Sequence, residues 1–322
     1  MQFNWKNLGL VFDLATLNLT PNWHVSHAQA PNVVDMGEFV RVYFCGRQGP
    51  DDLGNFISLG MYADVVPGEK FAIIEVSQTP IMELGELGEF DEFGTYPISV
   101  IKNSSGFLAY YGGWTRPKGV PFDVALGLAT SDDGKKFTKF GNGPILSATP
   151  NEPFVITSPK IRHLAGKFVL AYTAGVKWFD HEGKKEIIYR NRIAFSDDGV
   201  VWNRLGREII RTKIGHDEAQ ACPDIYTRDG EYHMFFCYRS SKNFRDDSRF
   251  SYKIGYAHST DLINWQRNDS KSVFLESQES WDHEMQAYPN VFDFKGNTYM
   301  LYLGNGTGSQ GFGAAIRVEN YG

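Results

Sequence analysis

Three glutamates, Glu92, Glu218 and Glu284, each stand five residues ahead of a proline. Their surroundings read Asp91-Glu92-Phe93-Gly94-Thr95-Tyr96-Pro97, Asp217-Glu218-Ala219-Gln220-Ala221-Cys222-Pro223 and His283-Glu284-Met285-Gln286-Ala287-Tyr288-Pro289. Glu218 and Gln220 share one side of an extended strand, as do Glu284 and Gln286. Gln29 holds a similar place before Pro31. Arg47 and Arg239 fall 16 residues after their prolines, Arg116 falls 19 after its own, and Asn305 takes the 16-residue position after Pro289. Trp114, Trp178 and Trp281 lie close by in sequence. Two carboxyl groups flanking a glycosidic bond supply the acid and the base or nucleophile for its cleavage. Arginine forks hold a carboxylate or phosphate, and an indole offers a flat apolar face to a sugar ring. We therefore expect Glu218 and Glu284 as the working pair, with Glu92 as a third acid. Arg47, Arg116, Arg239, Gln29, Gln220, Gln286, Asp217, His283, Trp114, Trp281 and Asn305 are expected to bind substrate. The structural alternative is that these glutamates and arginines pair between neighbouring repeats, because several charges gathered at one place are costly unless they pair or work.

His24, His27, His216 and His283 also precede the repeated prolines, but no pair has the spacing of metal ligands on one rigid element. No metal and no cofactor is expected. Gly304-Asn305-Gly306-Thr307-Gly308 is turn material without a phosphate-loop context. The three cysteines, Cys45, Cys222 and Cys237, are too few and too scattered for a disulfide framework and are expected as buried free thiols. The formal charge of −6 comes without any long basic run, which argues against nucleic acid. No stretch approaches the apolar length of a membrane helix. Met1-Gln2-Phe3-Asn4-Trp5-Lys6 lacks the pattern of a signal peptide, and a cytoplasmic location is expected.

The elements that must carry these residues show themselves as a repeat. Pro31, Pro97, Pro159, Pro223 and Pro289 are separated by 66, 62, 64 and 66 residues. Each opens a short strand, where a missing N–H costs little. A second, aromatic-rich strand follows: Val40 to Cys45, Phe107 to Tyr111, Phe168 to Tyr172, Tyr232 to Cys237 and Tyr299 to Leu303. A third runs Ile57 to Tyr62, Val124 to Ala129, Arg192 to Phe195, Lys253 to His258 and Gly313 to Val318. The turn then recurs as Ser131-Asp132-Asp133-Gly134, Ser196-Asp197-Asp198-Gly199 and Ser259-Thr260-Asp261-Leu262, with an aromatic beginning a fourth strand. Four antiparallel strands per repeat, repeated radially, predict an all-β, five-bladed β-propeller as one domain over 1–322. The blades are expected at about 27–85, 92–150, 154–215, 218–278 and 284–322. The fifth repeat stops after its third strand, and Phe3-Asn4-Trp5-Lys6-Asn7 mirrors Ile263-Asn264-Trp265-Gln266-Arg267. Residues 1–10 are therefore expected to close the ring as the outer strand of the last blade, which removes an exposed sheet edge. The start of each first strand and the end of each second strand would then surround one mouth of the central channel.

On the proline-opened strands, the second-strand ending Tyr43-Phe44-Cys45-Gly46-Arg47 with its echoes, and the Ser-Asp-Asp-Gly turns, the whole chain resembles the five-bladed propeller glycoside hydrolases. These include the arabinanase and β-xylosidase group, the invertase and levansucrase group, and the mannoside phosphorylases. The resemblance implies a carbohydrate or sugar-containing ligand and chemistry at a glycosidic bond. In the hydrolase families an aspartate usually sits on the first inner strand. Here that strand reads His27-Ala28-Gln29-Ala30-Pro31, without an acid. The arginines point to an acidic sugar, a sugar phosphate, a nucleotide sugar, or free phosphate as attacking species. A non-catalytic carbohydrate-binding propeller, or an isomerase or lyase in the same funnel, are the other readings.

Overall fold

A computed structural model of the protein describes residues 1–17, 23, 24, 26–52, 54–275 and 281–319. It is a five-bladed propeller of four-stranded antiparallel sheets, with one extra short strand on the last. Blade 1 comprises Ser26–Asp35, Val40–Arg47, Ser58–Val66 and Ala72–Val76. Blade 2 comprises Thr95–Asn103, Gly106–Thr115, Asp123–Ser131 and Thr138–Lys139. Blade 3 comprises Ile156–Leu164, Lys167–His181, Lys184–Ser196 and Asn203–Arg204, and blade 4 comprises Glu218–Arg228, Glu231–Ser240, Lys253–Ser259 and Gln266–Arg267. Blade 5 is built from Ala287–Phe294, Asn297–Leu303 and Gly311–Val318, closed by Phe3–Asp13 from the N-terminus. No helix among the described residues is long and apolar enough to cross a membrane.

The N-terminal strand is longer than residues 1–10. It pairs antiparallel with the last strand from Asn4↔Val318 to Asp13↔Gly311. Phe3 and Trp5 are fully buried and pack on Phe235 of blade 4, edge to face at 5.1 and 5.6 Å. The closure is thus a hydrogen-bonded ladder and an interblade core at once. One strand was not expected. Ser272–Phe274, assigned by sequence to the end of blade 4, crosses over and pairs parallel to Phe3–Trp5, covering the outer edge of the last blade.

Two polar devices hold the ring. The first lies at the channel, just after the repeated prolines. Asn32 accepts from the backbone N–H of Val100 in blade 2 (2.7 Å), and Ser99 accepts from Ile161 in blade 3 (3.1 Å). Arg162 donates to the carbonyl of Ile225 in blade 4, Asp224 accepts from Val291 in blade 5, and Asn290 accepts from Val33 in blade 1. Each blade is thereby bonded to the next. The second device is the Ser-x-Asp turn. Ser131, Ser196 and Ser259 each donate to the aspartate two residues on, and that aspartate accepts two later N–H groups. Gly134 and Gly199 occupy left-handed backbone there. A Cβ at Gly134 would meet the Tyr43 hydroxyl at 2.7 Å, the same hydroxyl that donates to its carbonyl from the preceding blade.

Candidate functional site

The channel mouth is built at five chain irregularities. Ala30, Ser158, Cys222 and Tyr288, each directly before its proline, have φ of 49° to 53°, and in blade 2 the Tyr96–Pro97 bond is cis. The ladder between first and second strand slips at each of these points. Such a bulge re-aims side chains out of the sheet, and non-glycine residues in left-handed backbone gather at functional sites. Tyr96, Ser158, Ala221 and Tyr288 accordingly line a central cavity of about 280 Å³. The second strands supply Arg47, Trp114, Thr173 and Arg239, with Gln29 and Thr307 closing the circle. The cavity opens where the starts of the first strands meet the second strands.

Its charge differs from the expectation. No carboxylate among the described residues lines this central cavity. Arg239 is only 4% exposed, yet it makes no ion pair among the described residues. One of its terminal nitrogens donates to the Ser240 carbonyl at 2.8 Å, its Nε has no partner, and its guanidinium lies 3.4 Å from the centre of the Phe244 ring. Arg47 also lacks an ion pair among the described residues and sits 5.6 Å from the Phe56 ring centre. Arg245 is partnered, by Glu186. Gln29 donates to the Thr307 carbonyl at 2.8 Å, while its buried Oε1 is unpartnered. Burial, then Arg47 and His24, hold the His27 imidazole down to about 4, so it is neutral at pH 7. Two guanidinium groups with no ion pair among the described residues line the cavity, and for the buried Arg239 the nearby Tyr252, Tyr189 and Glu186 offset its desolvation.

Two further chambers share walls with this one. Toward blade 5, a chamber of about 530 Å³ is lined by Arg245, Asp246, Asp247, Glu284, Asn305 and Thr307 among others. Asn305 Oδ1 accepts from the N–H groups of Glu284 (3.0 Å) and Met285 (3.1 Å) and sets the Glu284 backbone. Toward blade 2, a chamber of about 290 Å³ is walled by Phe56, Phe93, Tyr96, Trp114 and Phe122, with Arg47 and Arg116. Arg116 is partnered by Asp51 and lies 4.3 Å from the Phe93 ring centre.

The three glutamates are not brought together at this cavity. Glu284 reaches the blade-5 chamber with its side chain 57% exposed. Glu92 accepts from the Gly88 N–H in its own loop. Glu218 is fully buried and saturated: Oε2 accepts from the N–H groups of Lys213 and Ile214, and Oε1 from Gln220 and Arg267. Gln220 is consumed in that cluster. Asp217 is paired at the surface with Lys242, and Trp281 is packed against Tyr302 in the core. Gln286 and His283 face an outer groove beside Glu284. Of the expected binders, Arg47, Arg239, Gln29 and Trp114 meet at the centre, and Asn305 and Arg116 lie in the flanking chambers. Nor does Glu218 make the alternative Glu–Arg pair between neighbouring blades, since Arg267 belongs to its own blade.

Glu218 is one of four related clamps. Asp91, Glu152, Glu218 and Asp282 are all buried, and each lies 20 residues before a tyrosine of the second strand: Tyr111, Tyr172, Tyr238 and Tyr302. Tyr111, Tyr172 and Tyr302 donate their hydroxyls to the acid, while Tyr238 lies under Arg267 at 4.3 Å. The outer strand completes each clamp through Lys139, Arg204, Arg267 or Asn7. Counting back from the prolines hides this set, because the acid-to-proline distance varies from five to seven residues. Counting back from the second-strand tyrosine finds all four. Sequence reasoning also missed Arg245 and Tyr252. Their signal is the segment Ser240-Ser241-Lys242-Asn243-Phe244-Arg245-Asp246-Asp247, which lengthens the loop after the second strand of blade 4 and carries an aromatic beside an arginine.

The fold is a five-bladed β-propeller, and solved glycoside hydrolases share it. Two solved structures superpose over nearly the whole chain. One is a complex of BT0996 with RGII, with TM-score 0.70, 17% identity, and 98% of this chain and 92% of that one covered. The other comes from work on the GH130 family of mannoside phosphorylases and hydrolases of β-1,2 mannosidic linkages in Candida mannan, with TM-score 0.64, 15% identity, and 98% and 94% covered. No family model matches. By sequence, the chain belongs to the family of the Mycobacterium tuberculosis uncharacterized proteins MT1551 and Rv1502, 33% identical over 320 residues, 98% of this chain and 99% of each of those. A β-1,2-mannobiose phosphorylase of Thermoanaerobacter sp. is 23% identical over 176 residues, 51% of this chain and 54% of that enzyme.

Proposed function

We propose that the protein is a carbohydrate-active enzyme that works at a glycosidic bond of a sugar bearing a negative group, held by Arg47 and Arg239. The observation that carries this reading is Arg239: a guanidinium 4% exposed, lining the cavity, with no carboxylate paired to it. Taking a guanidinium out of water costs on the order of several kcal/mol, and an arriving anion would add to what Tyr252, Tyr189 and Glu186 offset. Glu284 is the carboxyl group nearest in role to a proton donor, because it alone of the three expected glutamates faces a chamber joined to the cavity. In this reading Gln29, Trp114 and Asn305 position the sugar. Glu92 and Glu218 hold the scaffold and take no part in the proton transfers.

A second reading has its own support. A hydrolase needs a base or nucleophile as well as an acid, and among the described residues the central cavity offers no carboxylate. Inorganic phosphate held by the two arginines would fill that role as attacking species. Its oxygen would bond to the anomeric carbon, the glycosidic bond would break toward the leaving oxygen, and Glu284 would protonate that oxygen. The test is a mass-spectrometric screen of neutral and anionic glycosides with and without phosphate, using Arg239→Gln and Glu284→Gln beside the parent. An anionic substrate turned over only by the parent supports the proposal, and phosphate dependence selects the second reading. Turnover of neutral glycosides with both variants fully active would overturn it. Ligand binding without any product would leave a carbohydrate-binding propeller.

A further inference from the structure

Moving along the funnel, the chemistry changes in order from aromatic to cationic to acid and amide. The blade-2 chamber is walled by Phe56, Phe93, Tyr96, Trp114 and Phe122, with no carboxylate among the described residues. Arg47 stands at its junction with the central cavity, because it lines both. Arg239 lies in the centre, and Arg245 marks the junction with the blade-5 chamber. That last chamber has the groups suited to hydroxyls: Glu284, Asp247, Asn305, Thr307 and Ser251. A ligand that matches all three stretches has a flat ring at one end, two adjacent anionic groups in the middle and a polyhydroxylated ring at the other end.

We propose that the funnel takes a nucleoside diphosphate sugar, with the base in the aromatic chamber, the diphosphate along Arg47, Arg239 and Arg245, and the sugar beside Glu284 and Asn305. This rests on the anionic-sugar reading above and narrows it. An acidic oligosaccharide fits less well. It is hydroxylated along its whole length, whereas the blade-2 chamber offers Asn55, Ser58 and two arginines amid five aromatic rings. Asn55 and Ser58 supply the donor and acceptor groups that the edge of a base requires. Base-to-aromatic stacking tolerates different bases, so discrimination between them would fall to these two side chains.

Calorimetric titration of the intact chain tests this with four probes: a uridine and a guanosine diphosphate hexose, inorganic pyrophosphate, and a uronate-containing disaccharide. Phe56→Ala is the informative variant, because Phe56 is 45% exposed and its loss leaves the core untouched. At least one nucleotide sugar is expected to bind about tenfold or more tightly than pyrophosphate. Phe56→Ala should weaken that nucleotide sugar about tenfold and leave pyrophosphate unchanged. Pyrophosphate binding as tightly as both nucleotide sugars, or a Phe56→Ala variant that binds them like the parent, overturns the proposal. The uronate disaccharide binding through Arg239 while both nucleotide sugars fail would also overturn it, yet leave the anionic-sugar reading standing. If no probe shows binding that Arg239→Gln abolishes, both readings fall.

Discussion

Replacing Glu218 separates a scaffold carboxylate from a catalytic one. In the parent its two oxygens receive four donors: Lys213 N–H at 2.7 Å, Ile214 N–H at 3.1 Å, Gln220 Nε2 at 2.8 Å and Arg267 at 2.7 Å. In Glu218→Ala the Arg267 side chain, 7% exposed, keeps Asp269 and the Arg211 carbonyl but loses its second carboxylate. Breaking a buried pair from one side costs about 3–5 kcal/mol, and each backbone N–H left without an acceptor costs about 1–3 kcal/mol. Asp269 and local relaxation offset part of this, so a loss of about 4–6 kcal/mol is expected. For a chain of 322 residues the unfolding entropy is about 0.7 kcal/mol/K, which turns that loss into a fall of about 6–9 °C in Tm. Glu218→Gln retains the shape and one acceptor and should fall by about half as much. The assay is thermal unfolding followed by near-UV circular dichroism, together with ligand binding or turnover per folded molecule well below the transition. The folded variant should work like the parent. A Glu218→Gln protein with the parent's Tm and no turnover would refute the clamp and return Glu218 to the chemistry.

Arg239→Gln should abolish the stabilisation that an anionic ligand gives the parent; thermal shifts with and without ligand check this. Glu284→Gln should leave Tm within about 1 °C, its side chain being 57% exposed, while product formation falls at least about a hundredfold; an equally active variant would remove Glu284 from the reaction. His27 has a folded-state value near 4 against an ordinary 6.5, so the unfolded chain binds the proton first; its contribution is whole above pH 6.5 and is lost as pH falls toward 4, and chemical denaturation across that window should show a shallower loss in His27→Gln. Removing residues 1–10 takes Phe3 and Trp5 out of the core and opens a sheet edge, so cooperative unfolding should be lost or shifted down by far more than any point variant.

The blades were legible because their signals are local and recur. A proline that opens an inner strand, an aromatic second strand and a Ser-x-Asp turn each depend on a few neighbouring residues, and five or three copies make the period plain. The closing strand was legible too, because Phe3-Asn4-Trp5 echoes Ile263-Asn264-Trp265, although the strand Ser272–Phe274 laid against it was not. The mouth of the channel followed from the strand order, and with it Arg47, Arg239, Gln29 and Trp114.

The roles of the acids were decided elsewhere. Glu92, Glu218 and Glu284 share a distance from a proline and the bulge between is the same in each blade, but Glu218 begins its strand whereas Glu92 and Glu284 lie in the loops before Thr95–Asn103 and Ala287–Phe294. The same count therefore places one glutamate against its own loop, one in a closed clamp and one at the rim. Sequence by itself determined a ring of five sheets and where its polar mouth must open. Only the tertiary structure decided which charges meet there unpaired, because pairing depends on what the outer strand of each blade places beside the acid, some fifty residues further along the chain or, in the last blade, at its beginning.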